Sequence, residues 1–116
     1  MLKPRLDTST DEGLNAATVL AAFQLAGLDL AFKQVKVPNA VSLDFRWKDN
    51  ARLRGSIFAE GTDITVSMFI ADDAKAVFKH AARVDGVEAR VVLGKEVQKM
   101  LRYMGFRGRK EIRSSI

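Results

Sequence analysis

Val41-Ser-Leu-Asp-Phe-Arg-Trp47 alternates strictly: Val41, Leu43, Phe45 and Trp47 are large and apolar, while Ser42, Asp44 and Arg46 are polar. A period of two marks a strand with one buried face. The pattern recurs twice. Leu53, Gly55, Ile57 and Ala59 share one side of the run from Arg52 to Ala59, and Ile64, Val66, Met68 and Ile70 share one side of the run from Ile64 to Ala71. β-Branched and aromatic residues suit a pleated surface. Three such runs separated by short polar breaks predict an antiparallel meander.

Register follows from keeping one face apolar, because a slip of one residue exchanges the faces. A turn at Asp49-Asn50-Ala51 pairs Trp47 with Leu53, Phe45 with Gly55 and Leu43 with Ile57. A two-residue turn at Gly61-Thr62 pairs Ala59 with Ile64 and Ile57 with Val66, and glycine in the first central position suits a type II′ hairpin. On the outer face this register sets Arg46 opposite Arg54 and Lys48 opposite Arg52, with Phe58 and Phe69 beside them. Like charges opposed across a sheet are unfavourable. Two readings stay open: a helix, the C-terminal tail or a second subunit covers the phenylalanines, or bases stack on them while the cations neutralise phosphates.

Upstream, residues 1–11 read as a flexible arm. Thr10 or Asp11 caps a helix over 12–26, with Asp11 and Glu12 at its positive end. Leu14, Ala17, Ala21, Leu25 and Leu28 form one apolar stripe, and Val19, Leu20 and Phe23 lie on another side. Such a helix is buried on more than one side, either between the sheet and a C-terminal helix or at a subunit interface. Gly27 ends or bends it. Residues 29–37 fit helix or strand until Pro38 stops either one.

Downstream, Ala74, Val77, Phe78 and Ala81 predict a helix over 72–83, with Lys75, Lys79 and Arg83 as a solvated basic stripe. Asp85-Gly86 reads as a turn, and the alternation Val87, Ala89, Val91, Leu93 as a fourth strand. A helix over 94–104 turns Val97, Met100, Leu101 and Met104 inward and Lys95, Lys99 and Arg102 outward. Arg107, Arg109, Lys110 and Arg113 follow in a basic tail over 106–116. The expected fold is an α+β two-layer sandwich within a single domain over 12–105. Its antiparallel meander of three to four strands is covered by helices, in the order α-β-β-β-α-β-α. Val41, Phe45, Trp47, Ile57, Val66 and Ile70 face the core.

A chain of 116 residues suits one domain. Residues 1–93 hold twelve Lys/Arg and twelve Asp/Glu, while residues 94–116 hold seven against two, so the last segment carries the whole net charge of +5. That asymmetry points to an anionic partner. With no cysteine there is neither a disulfide framework nor a thiolate metal site. Met1 to Thr10 lacks the apolar core of a secretory leader, and no run reaches membrane-span length, so a cytoplasmic location without membrane contact is expected. His80 is the sole histidine. No nucleophile–base order, phosphate loop or metal-ligand repeat accompanies it. No catalytic residue, metal or cofactor is assigned, and an enzyme is not expected.

The order helix, three antiparallel strands, helix over residues 14–83 is similar to the double-stranded-RNA-binding domain. That family grips phosphates with a lysine cluster at the start of its second helix. The corresponding residues here are Asp72-Asp73-Ala74-Lys75, so the resemblance covers element order alone.

Two functions are therefore expected, the first as the main reading and the second as its alternative. One is a small nucleic-acid-binding protein using Arg46, Lys48, Arg52, Arg54, Lys95, Lys99, Arg102 and the tail cations, with Phe58 and Phe69 as stacking groups. The other is a protein-interaction module, an assembly subunit or small inhibitor. It docks through the apolar first helix or the outer sheet face with Phe58 and Phe69, while the basic tail grips an acidic protein surface, and a second copy of the chain is one candidate partner.

Overall fold

The alternating centre of the chain extends on both sides into a five-stranded antiparallel sheet. The computed structural model describes residues 5–28, 30–48, 50–70 and 75–103, leaving aside the side chains at 50–53, 70 and 75–77. The elements are α1 (Asp11–Leu25), β1 (Leu30–Val37), β2 (Ala40–Trp47), β3 (Asn50–Glu60), β4 (Asp63–Ile70), β5 (Lys75–Arg83) and α2 (Val87–Tyr103). Every strand pairs with its neighbour in sequence, in the order β1-β2-β3-β4-β5. α1 lies on β2, β3 and β4, and α2 lies alongside α1. The fold is thus α+β, an antiparallel sheet with two helices.

Phe45 pairs with Gly55, Leu43 with Ile57, Ala59 with Ile64 and Ile57 with Val66, as the alternation requires. Gly61 has φ +56°, the left-handed value that a glycine-first hairpin turn needs. Gly55 is compulsory for a different reason. The Phe45 ring lies across it, and a Cβ there would fall 2.3 Å from Phe45 Cζ and 2.5 Å from the Ser67 carbonyl oxygen. The end of the β2–β3 hairpin departs from expectation. The register shifts after Arg46, and Trp47 pairs with Asn50 rather than Leu53. Lys48 consequently lies in the turn and does not oppose Arg52.

One open assignment is settled and two change. Residues 30–37 are a strand, with Pro38 and Asn39 (φ +57°) turning the chain into β2. Residues 75–83 are β5 rather than a helix: Phe78, His80 and Ala82 pair with Met68, Val66 and Ile64 along the inner face. The alanines favour a helix locally, but the open edge of β4 offers a full ladder of backbone hydrogen bonds, and pairing prevails. Residues 87–93 belong to α2, which starts at Val87 rather than at residue 94. Leu93, Val97 and Leu101 recur every four residues and are buried, whereas the strand reading would bury Val87 and Val91, which are exposed. The element order is therefore α-β-β-β-β-β-α. The similarity in element order to the double-stranded-RNA-binding domain lapses with the helix over 72–83.

Both ends of α1 are fixed. The Gly13 amide donates to Thr10 Oγ1 (3.1 Å), and that hydroxyl donates to the Asp7 carbonyl (2.8 Å). At the other end Leu28 N–H donates to Phe23 O and Gly27 N–H to Gln24 O, with Gly27 at φ +78°. This pairing is the Schellman arrangement, and it turns the chain directly into β1. Between the ends, Ala16, Val19, Ala22 and Phe23 are buried, and the Phe23 ring meets Phe45 edge-on at 5.1 Å. Asn15 is fully buried and donates from Nδ2 to the Val84 carbonyl (3.1 Å), tying α1 to the end of β5. Trp47 is half-buried against the same core, on the side its parity requires.

Candidate functional site

Among the described residues, two surfaces stand open, one on each layer. On the sheet, the side away from the helices carries Lys33, Asp44, Arg46, Arg54, Ser56 and Phe69 around a shallow depression of about 590 Å³. Arg46 and Arg54 are direct cross-strand neighbours, and Arg54 pairs in turn with Phe69. Phe58 is 42% exposed, but it pairs with Ser42 and Thr65. It therefore sits four residues along from the Arg54–Phe69 pair, about 13 Å at the usual strand rise, and the two phenylalanines do not form one continuous platform. Nor is this face uniformly basic. Lys33 pairs with Asp44 and Arg83 with Asp63, so the register sets opposite charges side by side.

The helix layer is different. Helical spacing gives α1 two apolar sides, and the sheet takes only one. The other side, Leu14, Ala17, Ala21 and Leu25, lines a groove of about 490 Å³ whose opposite wall is Val87 and Val91 of α2. Leu25 is 68% exposed, Val87 71% and Val91 51%. Large β-branched groups facing water on a helix gain nothing there for folding, and they bring no helix propensity. Thr18 and Gly94 lie where the helices approach: a Cβ on Gly94 would meet Thr18 Cγ2 at 3.5 Å, an ordinary contact. Among the described residues, the polar part of the lining includes Arg90, Lys95 and Gln98, and no carboxylate. Arg90 Nη1 is shut off from solvent and has no hydrogen-bond partner.

The expected site residues therefore divide between the layers. Arg46, Arg54, Phe58 and Phe69 are on the outer sheet face. Lys95, Lys99 and Arg102 are exposed on α2, on the helix side. Lys48 is exposed in the β2–β3 turn, and Arg52 falls within β3 without a described side chain. Arg107, Arg109, Lys110 and Arg113 lie outside the described residues. The α1 half of the groove was legible as a second apolar stripe. The α2 half was not, because Val87 and Val91 read as strand.

His80 is half-buried on the inner side of β5, opposite Val66. Among the described residues no group of three or more His, Asp or Glu side chains is placed to hold a metal ion. No helix among them is long and apolar enough to cross a membrane. Compared with protein-family models, with curated proteins and with solved structures, the chain gives no significant match.

Proposed function

We propose that this chain is a protein-interaction module, without catalytic activity of its own, that docks through the open face of its helix layer. The observation that carries the reading is the groove in which Leu25, Val87 and Val91 stand exposed beside a floor of small residues. Contiguous exposed apolar surface of this kind marks a site where another surface seats. A photo-crosslinking amino acid at Val91, with a matched control at Thr65 on the far side of the sheet, tests it in the cells that express the protein. The expected result is one discrete protein adduct at Val91, absent at Thr65 and lost with Leu25→Glu. Adducts at Thr65 with none at Val91 would move the site to the sheet.

A second reading rests on Arg46, Arg54 and Phe69 sharing one depression, an arrangement suited to a phosphate beside a stacked base. Titration of single- and double-stranded DNA and RNA at two salt concentrations addresses it. Salt-sensitive binding that falls in an Arg46→Ala/Arg54→Ala variant supports nucleic acid on that face. No binding of any of the four at low salt eliminates it.

A further inference from the structure

From the groove between α1 and α2 we infer the chemistry of its occupant: an amphipathic helix of another protein, about three turns long, carrying Asp or Glu beside its apolar stripe. This rests on the docking reading above and goes further by naming the partner's class.

The argument for a helix comes from the backbone. A groove between two helices presents side chains, not an unpaired row of N–H and C=O groups. An extended peptide laid there would lose water from its own amides and find no ladder in return. A helix satisfies its backbone internally and brings only side chains. Leu14 and Leu25 stand eleven residues apart along α1, a length of about 16 Å, which matches three turns. The floor of Ala17, Ala21 and Gly94 lets a third helix approach at the close end of the usual interaxial range.

The argument for acidity comes from charge. Among the described residues, the lining contains two cations, Arg90 and Lys95, and no acid. Arg90 already holds one guanidinium nitrogen away from water without an acceptor. Covering the groove with an uncharged helix would remove more water from the same group, which is unfavourable. A carboxylate on the incoming helix balances the charge that exposed Lys95 and half-buried Arg90 bring to the lining. The same charge disfavours a second copy of this chain. A two-fold axis through the groove would bring Arg90 and Lys95 of each copy toward those of the other with no acid in the lining between them.

The test uses three synthetic fluorescent sixteen-residue peptides and the full chain. One has a leucine stripe with glutamates on its polar face. One has the same stripe with lysines. One has the composition of the first, scrambled so that no stripe forms. Fluorescence anisotropy should show the glutamate peptide binding, the lysine peptide weaker by roughly tenfold, and the scrambled peptide not binding. Arg90→Gln with Lys95→Gln should bring the first two within about twofold of each other, and Val91→Asp should abolish both. Lys95→Gln alone, at an exposed position, should narrow the preference in part and covers the case in which the Arg90 change unfolds the protein.

Equal binding of the glutamate and lysine peptides overturns the acidic partner while leaving the docking surface standing. Binding of the scrambled peptide as well as the striped one overturns the helical occupant. Failure of both striped peptides to bind at about 1 mM overturns the proposed partner class. A discrete Val91 crosslink would then keep the docking reading, and its absence would remove that too. A dimer by sedimentation that becomes monomeric with Val91→Asp would name a second copy as the occupant instead.

Discussion

The two open faces are made from similar material and end up different. Each carries exposed apolar groups among cations: Phe58 with Arg46 and Arg54 on the sheet, Val87 and Val91 with Arg90 and Lys95 on the helices. On the sheet, cross-strand register brings Asp44 to Lys33 and Asp63 to Arg83, so part of the charge is met within the surface. On the helices no acid among the described residues lines the groove. The apolar groups also differ in grouping. Phe58 and Phe69 are separated along the sheet, whereas the helix residues form the two walls of one groove. On the reading proposed above, the face that scatters its apolar groups and sets some opposite charges side by side stands without a partner, and the face that does neither is the one that docks.

The comparison breaks most readily on the sheet side. Its outer surface exists only while the inner face keeps its register, and Gly55 is where two layers of atoms leave no room. Gly55→Val should destabilise the fold by about 3 kcal/mol or more, read as a lowered midpoint in urea unfolding. A loss below about 1 kcal/mol would mean that Phe45 and β4 yield easily and that register is fixed elsewhere. The join between the layers comes next. Asn15→Ala removes the bond to the Val84 carbonyl and leaves that group without its donor, which should cost about 1–3 kcal/mol. An unchanged midpoint would show that α1 is held by its apolar contacts alone.

The groove predicts the opposite pattern. Gly94 sits inside α2 with room for a methyl group, so Gly94→Ala should stabilise by about 0.5–1 kcal/mol. Leu25→Gln should change stability by no more than about 0.5 kcal/mol while weakening docking, because Leu25 contributes little to the core. A large loss of stability in that variant would convert the groove wall into ordinary core.

The smallest effect belongs to the loop before α1. Hydrogen bonds from Ser9, the hydroxyl first and the backbone amide second, hold the Asp7 carboxyl below its ordinary value. A carboxyl lowered in the folded state adds stability above the unfolded-chain value and loses it as pH falls through the folded one. The melting difference between wild type and Asp7→Asn should therefore be small at neutral pH, shrink as pH falls below the ordinary aspartate range, and vanish once the carboxyl is protonated in the folded state as well. A difference that persists at the lower pH would assign the effect to the Asn side chain rather than to ionisation.

The sheet from Ala40 to Ile70, apart from the end of the β2–β3 hairpin, was legible because strict alternation with a glycine-first turn has one solution. The ends of α1 were legible because Thr10 and Gly27 have specific backbone tasks. The two segments assigned to the wrong element share a cause. A spacing of four residues falls on one face in a helix and in a strand alike. The stripe read as helix, Ala74, Val77, Phe78 and Ala81, contains pairs four residues apart that suit a strand face equally, and Val87 and Val91 suit a strand as well as they suit α2. Alanine in the first case and valine in the second then tipped the local reading the wrong way, and packing reversed both. The outward placement of Arg46, Arg54, Phe58 and Phe69 followed from register and was legible. The groove was half legible, since one wall came from a correctly read helix and the other from a misread one.

The sheet order β1-β2-β3-β4-β5 has a consequence for how the chain assembles. Each strand finds its partner in the segment made immediately before it, so the sheet grows by successive hairpins, each closing a short loop. α1 does not share this advantage. Its buried side rests on β2, β3 and β4, all of which follow it in the chain. During synthesis it therefore emerges with both of its apolar sides bare, and the sheet closes over only one of them.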